Sequence, residues 1–185
     1  MLKPEDFAIR PLTEEDSGLV LGWRNQDRVR INMYTDHLIS ESEHAVWFGH
    51  ALQDSLSQYF IFMHRGRPVG FISFTGINSL HGRCSWAFYL GEIDVPRGSG
   101  SVMEFLALDF AFGVLGIRKL CCEVFTFNDS VIRLHEKFGF VREGLLVQHY
   151  LKGDKYEDVV CLARFQGDWK SDRLKLMARC FGKGV

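Results

Sequence analysis

The sequence predicts an α/β fold of mixed-sheet (α+β) type, with helices on both faces of one sheet. Three observations carry this. Segments of strand and helix period alternate in the order β α α β β β α β α β β. The central strand, helix and strand between Cys84 and Phe127 must cross over in parallel, and the other strands are joined by hairpin turns that pair them antiparallel.

Each element has its own signal. The first strand is Phe7 to Pro11, closed by a helix start in which Thr13 caps and Asp16 answers three residues on, before a helix from Leu19 to Asn25. Ser40 and Glu43 make a second capping box, opening a helix from Glu41 to Leu56 that should pack by Ala45, Phe48 and Leu52. Tyr59 to His64 and Val69 to Ile77 read as a hairpin around Arg65-Gly66-Arg67-Pro68. A strand from Cys84 to Leu90 leads through a glycine-rich turn into a nearly all-apolar helix, Val102 to Leu115, closed by Gly116. Lys119 to Phe127 is the next strand. Asn128 or Asp129 caps a short helix that Gly139 ends, and Val141 to Leu151 and Tyr156 to Phe165 form the last hairpin.

No repeat, linker or low-complexity tract divides the 185 residues, so residues 1–168 read as one domain. Residues 169–185 shift in composition. Lys170, Arg173, Lys175, Arg179 and Lys183 surround Leu174, Leu176 and Met177, which suggests a short amphipathic helix that frays. Hydrophobic residues make up 46% and charged residues 24%, a globular profile. With 22 Lys and Arg against 23 Asp and Glu, the net charge of -1 draws the chain to neither nucleic acid nor an anionic membrane, and a small-molecule partner is expected. No apolar run reaches the roughly 18 to 20 residues of a membrane span and no secretory signal precedes the first strand, so the expected location is the cytoplasm. The five cysteines lack CxxC spacing, lie mostly in apolar, strand-like runs and read as buried, reduced thiols. The seven histidines show no HExxH or paired Cys and His spacing, so no metal is expected, and no GxSxG elbow is present.

Arg97-Gly98-Ser99-Gly100-Ser101 joins a strand to a buried helix, where backbone N–H groups and the positive end of the helix dipole converge. Such a spot can bind an anion. By itself a glycine-rich turn is more often only a turn; Ser101 and Glu104 also have capping-box spacing, which would occupy one or two amides.

Arg97-Gly98-Ser99-Gly100-Ser101-Val102 resembles the pyrophosphate turn of the GNAT acetyltransferases, R/Q-x-x-G-x-G/A, with Val102 departing from the small final residue. Asn128-Asp129-Ser130-Val131-Ile132-Arg133-Leu134-His135-Glu136-Lys137-Phe138-Gly139-Phe140 resembles the family's N-x-x-[AS]-x-x-x-Y-x-K-x-G-F segment. The element order matches over nearly the whole chain. The resemblance implies an acetyl-CoA-dependent N-acetyltransferase. It places Tyr89, Leu90 and Gly91 along the pantetheine with Asn128 facing it, and Glu123 and Phe125 near the reacting centre.

His135 falls where many family members have a tyrosine that protonates the CoA thiolate. An imidazole titrates near working pH and can serve, while a histidine capping the core is the equal alternative. Glu123 is the first candidate base for the amine. Half-buried beside Cys121, Cys122 and Phe125, it would have a raised pKa; a strand carboxylate paired with Lys or Arg is the alternative.

Trp23-Arg24-Asn25, Met33-Tyr34, His44 and Trp47 resemble the branch of the family that acetylates nucleotide-linked amino sugars, such as UDP-4-amino-4,6-dideoxy-N-acetyl-β-L-altrosamine of pseudaminic acid synthesis. Arg24 suits a diphosphate and Tyr34 and Trp47 suit a uracil or sugar ring; His44 could hold a hydroxyl or help with the amine proton. Alternatively Trp23, Met33 and Trp47 are core and Arg24 pairs with Asp27 or Asp36. The expected partner is therefore a nucleotide sugar. Acetylation of protein N-termini and non-catalytic binding of CoA or nucleotide sugar are the competing functions. The sequence leaves a homodimer open.

Overall fold

The computed structural model describes residues 2–182. Four antiparallel strands, β1 (Phe7–Pro11), β2 (Gln58–His64), β3 (Arg67–Asn78) and β4 (Arg83–Leu90), form one half of the sheet. β5 (Lys119–Phe125) joins β4 in parallel, and the hairpin β6 (Val141–Lys152) and β7 (Lys155–Phe165) completes the order β1-β2-β3-β4-β5-β7-β6. The expected mixed α/β architecture is the one observed. The hairpin turn after β2 is tighter than the sequence suggests: Arg65 and Gly66 take φ of 49° and 75°, so two residues suffice and β3 begins at Arg67.

Strand alternation divides the core in two. Ile61 and Phe71 pack under α1 (Ser17–Arg24) and, beyond the short α2 (Asp27–Arg30), under α3 (Glu41–Gln53). Phe60, Phe62, Ile72 and Phe74 face the opposite way. They meet α4 (Ser99–Asp109), α5 (Asp129–Lys137) and α6 (Gln166–Phe181).

Two expectations about helices are corrected. α3 buries His44, Phe48 and Ala51, whereas Ala45 and Leu52 are exposed; the stripe is rotated because His44 is drawn inward by a bond from Nε2 to the Ser17 carbonyl, 2.9 Å. The C-terminal segment is a sixteen-residue helix that docks on α4, with Trp169, Leu176 and Phe181 buried and Arg173 forked onto Asp109 at 2.5 and 2.6 Å. Lys183 lies outside the described residues.

Between β1 and α1, Asp16 is buried and accepts both Arg10 guanidinium nitrogens at 2.7 Å, Thr13 N at 2.9 Å and Thr13 Oγ1 at 3.1 Å. The expected link between Thr13 and Asp16 is present, with an arginine added.

The feature that positions the site is an interrupted ladder. β4 and β5 pair over Arg83–Ser85 with Lys119–Cys121 and then part. Trp86 to Leu90 stay with β3 while Cys122 to Phe125 stay with β7, leaving a wedge between them. At its open end Trp23 packs flat on the chain at Gly91, where a Cβ would lie 2.1 Å from Trp23 Cδ2, and its Nε1 donates to Glu92 at 2.7 Å.

Gly91→Ala is expected to destabilise the protein by about 1–3 kcal/mol through overpacking, measured by denaturant unfolding. Arg10 holds the Asp16 carboxyl below the usual carboxylate range, so its contribution is present above about pH 4 and is lost as pH falls through the depressed value. Asp16→Asn should therefore cost about 1–3 kcal/mol at pH 7, with the difference from wild type shrinking below about pH 4.

Candidate active site

The β3–β4 register decides which main-chain groups face the wedge. Gly91 N donates to Val69 O at 2.9 Å, which makes Phe71 and Tyr89 the mutually bonded pair and turns the N–H and C=O of Phe88 and Leu90 outward. Leu90 O is already taken by Arg28 Nη1 at 2.8 Å, and Gly91 O by Arg28 Nη2 and by Gln26 at 3.2 Å. Of the three residues expected to offer main-chain groups, only Leu90 does so, through its N–H. Phe88 takes the place of Tyr89. Tyr89 instead presents its ring, stacked on Phe71 at 5.3 Å, with burial raising its phenol pKa.

α4 starts earlier than the apolar pattern indicates. Gly98, at φ 100°, is the N-cap, a conformation that favours glycine. The amides of Ser99, Ser101 and Val102 donate to Pro96 O and Gly98 O, leaving those of Gly98 and Gly100 for an anion. Because the helix begins at Ser99, Ser101 and Glu104 form no capping box and Glu104 turns inward. Arg97, Gly98, Gly100 and Ser101 line a groove of about 740 Å³ that runs past Asn128 and Leu134 to Phe88 and Leu90. Ser99 and Val102 do not line it: Ser99 Oγ is buried against Pro96 O at 2.7 Å, and the Val102 side chain lies in the core. Inward packing of Val102 explains why a larger residue fits there. Arg28 and Lys137 complete the groove, and none of Arg28, Arg97 and Lys137 has a carboxylate partner among the described residues. Three cations without a carboxylate partner, Arg28 among them though its Nη atoms hold main-chain carbonyls, around two open amides suit a polyphosphate.

The wedge forms a throat of about 150 Å³ lined by Met33, Tyr34, Phe88, Glu123, Asn128 and His135. The two candidate catalytic residues approach it from opposite faces of the sheet. His135, on the α4 and α5 side, is 2% exposed, with Nδ1 2.9 Å from Glu104 Oε1. Glu123 faces the other way. It is exposed, not half-buried as expected, and its Oε2 accepts Tyr34 Oη at 2.5 Å. Burial, reinforced by Glu123, raises the Tyr34 phenol pKa and keeps that proton on Tyr34.

A cavity of about 280 Å³ on the α1 and α3 side gathers Arg24, Met33, His44 and Trp47 with Phe71 and Tyr89. Tyr34 does not line this cavity but lies over Glu123, against Phe125 and Tyr150. Trp23-Arg24-Asn25 serves first as a scaffold: Trp23 packs on Gly91, Arg24 Nη2 binds Thr35 O at 2.5 Å, and the Asn25 side chain exchanges two 2.9 Å bonds with the Ile39 backbone. Arg24 pairs with neither anticipated acid, since Asp27 goes to Arg30 and Asp36 to Lys152. Its Nη1 is buried without a partner, and burial lowers the guanidinium pKa. Burial likewise lowers the His44 pKa; with Nε2–H spent on Ser17 O, only its Nδ1 lone pair is free.

Sequence reasoning passed over Arg28 and read Glu104 only as a capping partner of Ser101. The signal for Glu104 was present, a carboxylate within an otherwise apolar helix; nothing in the local pattern singled out Arg28.

A sheet wedged open beside a glycine-capped helix ringed by unpaired cations defines a CoA-dependent acyltransferase. Residues 6–141 match the family model described as acetyltransferase (GNAT) domain, and the chain belongs to that family, with acetyl-CoA as the acetyl donor. Its relatives include the spermidine N(1)-acetyltransferase of Escherichia coli K12, 23% identical over 93% of this chain and 92% of that one. Another is the SPbeta prophage-derived uncharacterized N-acetyltransferase YokL of Bacillus subtilis, 28% identical over 85% and 88%. The crystal structure of Vibrio cholerae spermidine N-acetyltransferase in complex with CoA and spermine superposes with a TM-score of 0.84 at 20% identity, covering 90% of this chain and 99% of that one. At that identity the likeness speaks for the fold. Among the described residues no cluster of His, Cys, Asp and Glu is arranged to hold a metal, and no helix is long and apolar enough to cross a membrane.

Gly98→Ala, which forces a side chain into a left-handed N-cap beside the open amides, is expected to weaken CoA binding about tenfold by calorimetry, with the fold retained by circular dichroism.

Proposed function

We propose that the chain acetylates the amine of an acceptor whose far end is anionic, with nucleotide-linked amino sugars of the UDP-4-amino-4,6-dideoxy-N-acetyl-β-L-altrosamine type as the substrate class. Arg24 carries this reading. A guanidinium without an ion pair, its Nη1 buried and unbonded in a cavity walled by Trp47, Phe71 and Tyr89, calls for an anion on the bound molecule. The aromatic walls suit a sugar or base ring.

Acetyl-CoA lies along the groove, with its pyrophosphate at Gly98 and Gly100 and its thioester in the throat. The amine enters from the cavity and attacks the thioester carbonyl directly in a ternary complex. Glu123, on the amine's side of the sheet and ordered by Tyr34, takes the amine proton through water. As the C–S bond breaks, Nε2 of His135 supplies a proton to the sulfur.

Acetylation of a polyamine is the second reading, favoured by the names of the Escherichia coli and Vibrio cholerae relatives. Against it, a polycation in the cavity would face Arg24 at short range in a partly dry site.

Thiol release from acetyl-CoA with UDP- and dTDP-linked 4-amino sugars, spermidine and a short peptide separates these. The expected order puts a nucleotide sugar first in kcat/KM, with Arg24→Ala lowering that value about tenfold or more and leaving the KM for acetyl-CoA unchanged. Spermidine in first place, with Arg24→Ala as active on it as wild type, would establish the polyamine reading.

A further inference from the structure

We propose that Glu104 is a positioning residue for acetyl transfer: it holds the His135 ring by Nδ1 so that Nε2 faces the throat and delivers the proton taken up by the departing thiolate. This rests on the acetyl-transfer reading of the throat given above and extends it to a residue outside either sequence motif.

Glu104 is fully buried on α4 and His135 is 2% exposed on α5, with Oε1 and Nδ1 2.9 Å apart. Trp86, Phe88 and Phe140 wall the imidazole at centroid distances of 5.4, 5.7 and 4.9 Å. Packing does not account for such a pair. Two apolar residues of similar volume would serve the core as well or better. The polar cost is also incompletely offset, because Glu104 Oε2 and Trp86 Nε1 are buried without partners. With Nδ1 engaged, Nε2 is the ring nitrogen left for the throat, which His135 lines together with Asn128 and Phe88.

The proton inventory closes. Burial pushes the Glu104 carboxyl up, so the resting pair carries two protons, one on Nε2 and one shared between Glu104 and Nδ1, with no net charge placed in the core. The amine nitrogen bonds to the thioester carbon, the C–S bond breaks and its electron pair goes to sulfur. Nε2 gives its proton to that sulfur, and the shared proton settles on Nδ1, leaving Glu104 as the carboxylate. The amine's proton leaves by water on the Glu123 side, and the pair regains one proton from water when the products depart. The other titratable groups turned toward the pair are Cys122 on β5 and Cys180 on α6; burial raises both thiols, Cys180 to about 12, and they stay protonated throughout.

Three variants, read by thermal unfolding, steady-state kinetics and nitrogen NMR, test this. His135→Asn keeps a donor nitrogen where Nδ1 lies, so it should fold with an unfolding temperature near wild type yet lose about a hundredfold in kcat. Glu104→Gln should lose about tenfold or more in kcat with the KM for acetyl-CoA unchanged, and the alkaline limb of kcat should move to lower pH, because the carboxylate that keeps the second proton on the pair is gone. Glu104→Gln combined with His135→Asn should be no slower than His135→Asn alone. The nitrogen NMR spectrum of histidine in the free enzyme needs no acceptor: Nε2 of His135 should carry a proton at neutral pH in wild type and lose it in Glu104→Gln. The proposal is overturned if His135→Asn keeps wild-type kcat, if Glu104→Gln slows the enzyme equally at every pH, if the two losses multiply, or if the Nε2 protonation is the same in both proteins. Should no amine be turned over, the acceptor reading fails while the nitrogen spectra still decide the pair.

Discussion

The structure turns on the point where β4 and β5 cease to pair. Three residue pairs, ending at Ser85 with Cys121, hold the strands together, and past them each strand keeps a single neighbour. Unpaired strand edges in a fold's interior carry exposed N–H and C=O groups that need partners. Here the edge has several uses. Arg28 binds the Leu90 and Gly91 carbonyls, Phe88 and the Leu90 amide stay open toward the groove, and Trp23 closes the end of the wedge by packing on Gly91. The groove, the throat and the cavity all border this one interruption.

Polar groups placed in the apolar surroundings of the wedge give the site its chemical character. Arg24, His44, Glu104 and His135 are each drawn at least partly out of water, and each is tied down by one bond that leaves another atom free. That pattern differs from the surface ion pairs such as Arg133 with Asp129, which are exposed and contribute little. It also accounts for the course of the chain between α2 and α3. Arg24, Asn25, Arg30 and Lys152 all bond to its backbone carbonyls, so residues 33–39 are set by side chains from α1, α2 and β6 instead of by their own propensities.

Most of the fold was legible in the sequence because strand and helix periods, caps and turn residues agree locally. The strands from Phe7, Tyr59, Cys84 and Lys119, and the Ser40 cap, lie within a residue of where their patterns put them, and the strand expected from Val69 starts two residues earlier. What local pattern could not supply was direction. The rotation of α3 depends on a bond from His44 to another helix, and the docking of α6 depends on Asp109, sixty-four residues from Arg173. The site divides likewise. The glycine turn was readable as backbone chemistry, whereas the inward turn of Ser99, Val102 and Glu104 follows from where α4 starts. The exposure of Glu123 and the cover given it by Tyr34 depend on how a loop eighty-nine residues away is held.

The groove and the cavity reach the throat from opposite faces of the sheet, and Met33 and Phe88 line all three. A molecule in either one leaves the other's route to solvent unobstructed. Traffic through such a passage is therefore two-sided: neither ligand need vacate its berth for the other to come or go, and the Met33 thioether and the Phe88 ring are the partition they share.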